Sequence, residues 1–129
     1  MTDAEFSRQL SELSAMATEL NRESNSINEL LSRFEEQISA LNVGIEASQN
    51  MGVGVVAWLK LTRTSTKPGA SPYAKEEYWG LAIDGRPALE ASRDLRIAAL
   101  ENLPYLITIL TSEVKDRLDV IKRAKKLVK

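Results

Sequence analysis

"VGVVAWLKLT", residues 53–62, is the stretch on which the fold turns. Before it, apolar residues recur at helical spacing. Here they alternate. Val53, Val55, Ala57, Leu59 and Leu61 fall on one face, and Val56, Trp58, Lys60 and Thr62 on the other. Alternation in a β-branched run is the pattern of a half-buried strand. "EYWGLAID", residues 77–84, repeats it and groups Trp79, Leu81 and Ile83. Between them, "RTSTKPGASPYAK" is polar, with two prolines and a glycine, and reads as a loop. The segment predicts a β-hairpin over about residues 52–84, with a mobile loop over 63–75. A lone hairpin is marginal in water, so its apolar face must pack on helices or on another chain.

Upstream, Phe6, Leu10, Leu13, Ala17, Leu20, Ser24, Ile27, Leu31, Phe34, Ile38, Leu41 and Ile45 alternate spacings of 4 and 3 without a slip. This is a heptad seam, and it predicts a helix over about residues 3–43. Thr2 and Glu5 have capping-box spacing, and Gly44 suits the end. The polar patch "NRESNSIN", residues 21–28, invites a break, but the unbroken heptad phase favours one helix at the cost of Ser24 in the seam. Asn21, Asn25 and Asn28 share a neighbouring face. They are expected to be solvated, the alternative being polar contact with a second helix. Few opposite charges flank the seam, which argues against a parallel zipper and for an antiparallel bundle.

Downstream, Asp84-Gly85 is a turn signal and Pro87 suits a first helical turn. Leu100, Leu103, Ile107, Leu110, Val114, Leu118, Ile121 and Val128 form a second stripe. It predicts a helix over about residues 87–128, kinked or broken near Pro104. The fold class expected is α+β, mostly α: a single domain over residues 1–129, with two long antiparallel, heptad-patterned helices joined by the β-hairpin and assembling into a helical bundle. This order of elements resembles the prefoldin β-type subunit. The resemblance implies a coiled-coil arm and an oligomeric β platform. It is architectural, and no residue role carries over.

Composition narrows the chemistry. The chain has no histidine and no cysteine, which removes the commonest metal ligand, the side chain that titrates near neutrality, and thiolate chemistry. No enzymatic activity, cofactor or metal is expected. "GVGVVA", residues 52–57, matches a dinucleotide fingerprint in letters only, since a helical segment precedes it and a strand pattern follows. No apolar run is long enough to span a membrane, and "MTDAEFSRQL" has no secretory pattern. The expected location is cytoplasmic, with no membrane partner.

Charge is uneven. Residues 1–50 carry nine acids and three bases, whereas residues 51–129 carry nine acids and fourteen bases. Antiparallel helices would set the acidic start beside the basic end within one molecule. The alternative is a nucleic-acid patch at Lys122, Arg123, Lys125 and Lys126, against which stands the lack of any aromatic residue after Tyr105. Arg63, Lys67 and Lys75 make the hairpin loop a candidate contact for an anionic partner. In "ASRDLRIAAL", residues 91–100, Arg93 has Glu90 three residues earlier, whereas Arg96 faces the buried stripe without an acid in its own helix. Its expected partner is Glu35, Glu36 or Glu46, in a register-fixing salt bridge, with snorkelling or a bound anion as alternatives. The function expected is a non-catalytic, oligomeric protein-interaction or structural module, its partner a second copy or another protein. A holdase-like chaperone with apolar tips at Phe6, Leu10 and Leu127 is the alternative.

Overall fold

The computed structural model describes residues 2–52, 57–64 and 78–128. The chain is α+β and mostly helical. Helix α1 (Asp3–Leu41) leads into strands β1 (Ala47–Asn50), β2 (Trp58–Thr64), β3 (Tyr78–Ile83) and β4 (Arg86–Pro87). A 3-10 turn at Ala88–Glu90 precedes helix α2 (Arg93–Leu127). The strands form one antiparallel sheet in the order β1-β2-β3-β4.

Helix α1 is continuous through residues 21–28. Thr2 caps it by accepting the Glu5 N–H at 3.2 Å, and Asn42 ends it in the left-handed conformation. Ser24 is buried in the seam, and its hydroxyl donates to the Leu20 carbonyl at 2.7 Å. A buried hydroxyl that finds a backbone acceptor within its own helix costs little. Helix α2 starts later than Pro87, because Ser92 caps it by accepting the Leu95 N–H. It runs unbroken through Pro104. Just before Pro104, Asn102 Nδ2 donates to the Ala98 carbonyl at 2.7 Å.

The expected pairing of the two central strands is present. Leu59 opposes Ile83 and Leu61 opposes Leu81. Asp84 and Gly85 both have positive φ, the requirement of the tight turn that joins β3 to β4. Two strands were not anticipated, β1 and β4. The expected loop also begins later, since Arg63 and Thr64 belong to β2. Residues 53–56 of the predicted strand, and Lys67 and Lys75 of the predicted loop, lie outside the described residues.

Register places Ala47, Leu61 and Leu81 in one row and Gln49, Leu59 and Ile83 in the next. The apolar members of these rows form the sheet side of the core. Leu31, Ala98, Ala99, Leu103, Leu106 and Leu110 form the helix side. Leu31, Leu59, Leu61 and Leu106 are the largest fully buried side chains. Each such burial contributes about 1.5–3 kcal/mol.

The sense of the helices is the principal correction. Along α1, Glu35 meets Leu81 and Ser39 meets Trp79, so α1 runs opposite to β3. Along α2, Leu95 lies with Ile83 and Asp84, whereas Ile109 and Glu113 lie with Glu46 and Ala47. Helix α2 therefore also runs opposite to β1 and β3, and the two helices run in the same sense. Asn28 contacts Arg96, as this sense requires. The helices cover the sheet with unlike halves. Every residue from Asp3 to Glu23 is exposed, and so is every residue from Lys115 to Val128. These exposed ends leave the body in opposite directions. Within one chain they form neither an antiparallel pair nor a shared coiled-coil arm, and the acidic start does not pack against the basic end.

Candidate functional site

Three places carry chemistry: the edge of β3, the arginine pair at the start of α2, and the two helical ends.

Strand β4 is two residues long and pairs with Ala82 and Ile83 only. Among the described residues, Tyr78 to Leu81 therefore have β2 on one side and no strand on the other. Helix α1 supplies what a strand would. The Glu35 carboxylate accepts the Leu81 N–H at 3.2 Å and the Tyr78 hydroxyl at 3.1 Å. The Ser39 hydroxyl accepts the Trp79 N–H at 2.6 Å and donates to the Trp79 carbonyl at 3.3 Å. An open edge with unpaired backbone groups is a liability, and this one is closed by side chains four residues apart on one helix face. Glu35 is 5% exposed. Burial pushes its pKa above the usual carboxylate value of 4.5, with the hydrogen bonds from Leu81 and Tyr78 opposing the shift. The Tyr78 hydroxyl is raised as well, by its own burial first and then by the charge of Glu35. A buried carboxyl with a raised pKa is a form that acid–base catalysis uses. Here both its oxygens are committed to the sheet, so its evident work is to bind helix to edge.

The expected salt bridge of Arg96 is absent. Glu35 serves the sheet. Glu46 accepts the Thr62 hydroxyl at 3.0 Å and pairs with Lys60 at 3.4 Å. Both acids lie toward the end of α1 that parallel helices carry away from Arg96. Arg96 Nη1 instead donates to Asn28 Oδ1, and its buried Nε has no hydrogen-bond partner among the described residues. Arg93 Nη1 reaches Asn21 Oδ1 at 3.4 Å. Glu90 sits in the 3-10 turn outside α2, so the helical spacing expected to pair it with Arg93 has no helix to act in. Asn21 and Asn28 are thus the polar interhelical contact, not merely a solvated face. Neutral amides, not carboxylates, receive both guanidinium groups.

Arg63 sits with its guanidinium carbon 5.9 Å from the ring centre of Trp79, at the far end of the sheet from Arg93 and Arg96. Lys122, Arg123, Lys125 and Lys126 are all exposed on the last turns of α2. The described residues of these expected sites are therefore not brought together. Among the described residues, no group of three or more carboxylates is placed to hold a metal ion, and no helix is long and apolar enough to cross a membrane.

The helical ends carry the most exposed apolar groups. On α1, Phe6 is 53% exposed, Leu10 49%, Leu13 62% and Leu20 45%. On α2, Leu118, Ile121, Leu127 and Val128 are exposed. Apart from Leu127, these residues continue the stripes that are buried in the body. Comparison with protein-family models, with curated proteins and with solved structures finds no match.

Proposed function

We propose that the protein is a non-catalytic, self-assembling interaction module whose two helical arms are its docking faces. The observation that carries this reading is the heptad seam of α1. It keeps its register from the buried Leu31 out to the exposed Phe6, across twenty-one residues, Asp3 to Glu23, every one of which is exposed. Solvent imposes no heptad register, and an apolar stripe of this length left in water marks an interaction surface. The absence of histidine and cysteine supports the non-catalytic part. Sedimentation velocity at micromolar concentration is the test. Association is expected, and it should be lost in a Leu13→Glu, Leu20→Glu double variant whose circular dichroism keeps the sheet signal. A wild-type chain that stays monomeric at tens of micromolar overturns the proposal.

The exposure of Phe6, Leu10 and Leu127 at the arm tips favours one second reading, a holdase-like chaperone. Suppression of client aggregation by the wild-type chain, lost in the same double variant, would support it. A gel shift at low salt, dependent on Lys122, Arg123, Lys125 and Lys126, would support nucleic-acid binding instead.

A further inference from the structure

Resting on the self-assembly reading, we propose that the occupant of each α1 arm is the α2 arm of a second copy: acidic arm on basic arm, not like on like. The arm of α1, residues 3–23, carries Asp3, Glu5, Glu12, Glu19 and Glu23 against Arg8 and Arg22. The arm of α2, residues 115–128, carries Lys115, Arg117, Lys122, Arg123, Lys125 and Lys126 against Asp116 and Asp119. Arg117 is engaged by Glu113 at 2.7 Å within its own helix. The other charges of both arms have no ion-pair partner among the described residues.

Glu5, Glu12 and Glu19 recur every seven residues on the solvent-facing side of the α1 arm, with Glu23 beside its stripe, and Lys115 and Lys122 recur every seven residues beside the α2 stripe. Each arm thus presents an apolar seam, Leu10, Leu13 and Leu20 on one and Leu118, Ile121 and Val128 on the other, on a helical segment whose net charge is negative in α1 and positive in α2. Two α1 arms together would oppose acids to acids, and two α2 arms bases to bases. Such juxtapositions disfavour a pairing, whereas complementary potentials select one. Within one chain the complementary arms cannot meet, because parallel helices send them from opposite ends of the body. A second copy brings its α2 arm to the first copy's α1 arm. Every chain then offers one arm of each sign, which permits a closed dimer or a head-to-tail chain of copies.

Charge reversal tests this on the intact chain, with exposed residues whose replacement leaves the core untouched. One variant carries Glu12→Lys, Glu19→Lys and Glu23→Lys. The other carries Lys122→Glu, Arg123→Glu and Lys126→Glu. Each alone has two arms of like sign and is expected to associate at least about tenfold more weakly than wild type by sedimentation at low salt. Mixed in equal amounts, they restore association, since each supplies the arm the other lacks. One chain carrying all six substitutions restores it alone. If the variant reversed in α2 assembles like wild type, α1 arms pair with each other and the proposal is overturned. Wild-type behaviour of the variant reversed in α1 overturns it in the same way, in favour of paired α2 arms. Failure of the mixture to associate, when both variants are weakened, also overturns it. A monomeric wild type is a different result, which removes the self-assembly reading itself.

Discussion

Replacing Glu35 by alanine tests whether α1 closes the edge of β3. The wild-type carboxylate, 5% exposed, accepts the Leu81 N–H at 3.2 Å and the Tyr78 hydroxyl at 3.1 Å. Alanine removes both acceptors. Leu81 is 3% exposed and Tyr78 7%, so water replaces neither cheaply. An orphaned buried donor costs about 1–3 kcal/mol, and the space left by the side chain adds to this. Against these stands the desolvation of the carboxylate, which alanine relieves. The net expectation is a loss of about 2–4 kcal/mol. Glu35→Gln keeps an oxygen for the Leu81 N–H and discards the charge, so it should change stability by less than about 1 kcal/mol. Tyr78→Phe in both backgrounds completes a cycle, with a coupling to Glu35 of about 1 kcal/mol.

The assay is urea unfolding followed by circular dichroism at fixed protein concentration. pH supplies an independent sign. The pKa of Glu35 is raised in the folded state, so folded protein binds more protons than unfolded protein between the ordinary value and the raised one. Stability then falls as pH rises through that window and levels off above it, opposite to a salt-bridged carboxylate. Glu35→Gln should remove this component. If Glu35→Ala costs no more than Glu35→Gln, and Tyr78→Phe is additive with Glu35→Ala, the edge-closure argument fails.

Arg96→Met keeps the aliphatic stem and removes a guanidinium whose Nε is unpartnered, so unfolding should shift by no more than about 1 kcal/mol in either direction, whereas Asn28→Ala should cost about 1–3 kcal/mol by stranding that group. Leu106→Ala, at a residue 1% exposed, should cost about 2–5 kcal/mol, whereas Leu13→Ala, at one 62% exposed, should weaken association and leave the body's unfolding within about 0.5 kcal/mol. Spin labels at positions 6 and 127, in chains diluted into unlabelled protein, should lie about 70–80 Å apart if the helices run in the same sense, and within about 20 Å if they are antiparallel.

Much of this fold is legible in the chain, and the failures share a cause. The α1 helix and its Thr2 cap, the faces of β2 and β3, and the Asp84-Gly85 turn follow from periodicity and local turn chemistry. The sense of the helices did not follow, and one strand accounts for it. "ASQN", residues 47–50, is polar and short, without alternation or a β-branched residue. Only Ala47 is buried, and the segment is held by pairing with β2. Two strands return the chain to the end of the sheet where α1 stopped, which sends the second helix back antiparallel. A third strand, β1, leaves it at the opposite end, and the two-residue β4 leads into α2 running the same way as α1. Everything inferred from antiparallel packing fails with that parity: the reach of Glu35, Glu36 or Glu46 to Arg96, the burial of charge asymmetry within one molecule, and the single coiled-coil arm. The polar partners of Arg93 and Arg96 were present in the sequence as Asn21 and Asn28, at heptad spacing on one face. Nothing local distinguishes an asparagine that meets water from one that meets a helix; only the tertiary sense decides it. The edge-closing role of Glu35 was hidden for the same reason, because a carboxylate at a helical position announces neither its burial nor the backbone donors it serves. What the parity takes from the chain's own packing it leaves on the surface: two exposed arms of opposite net charge that cannot reach each other within one chain.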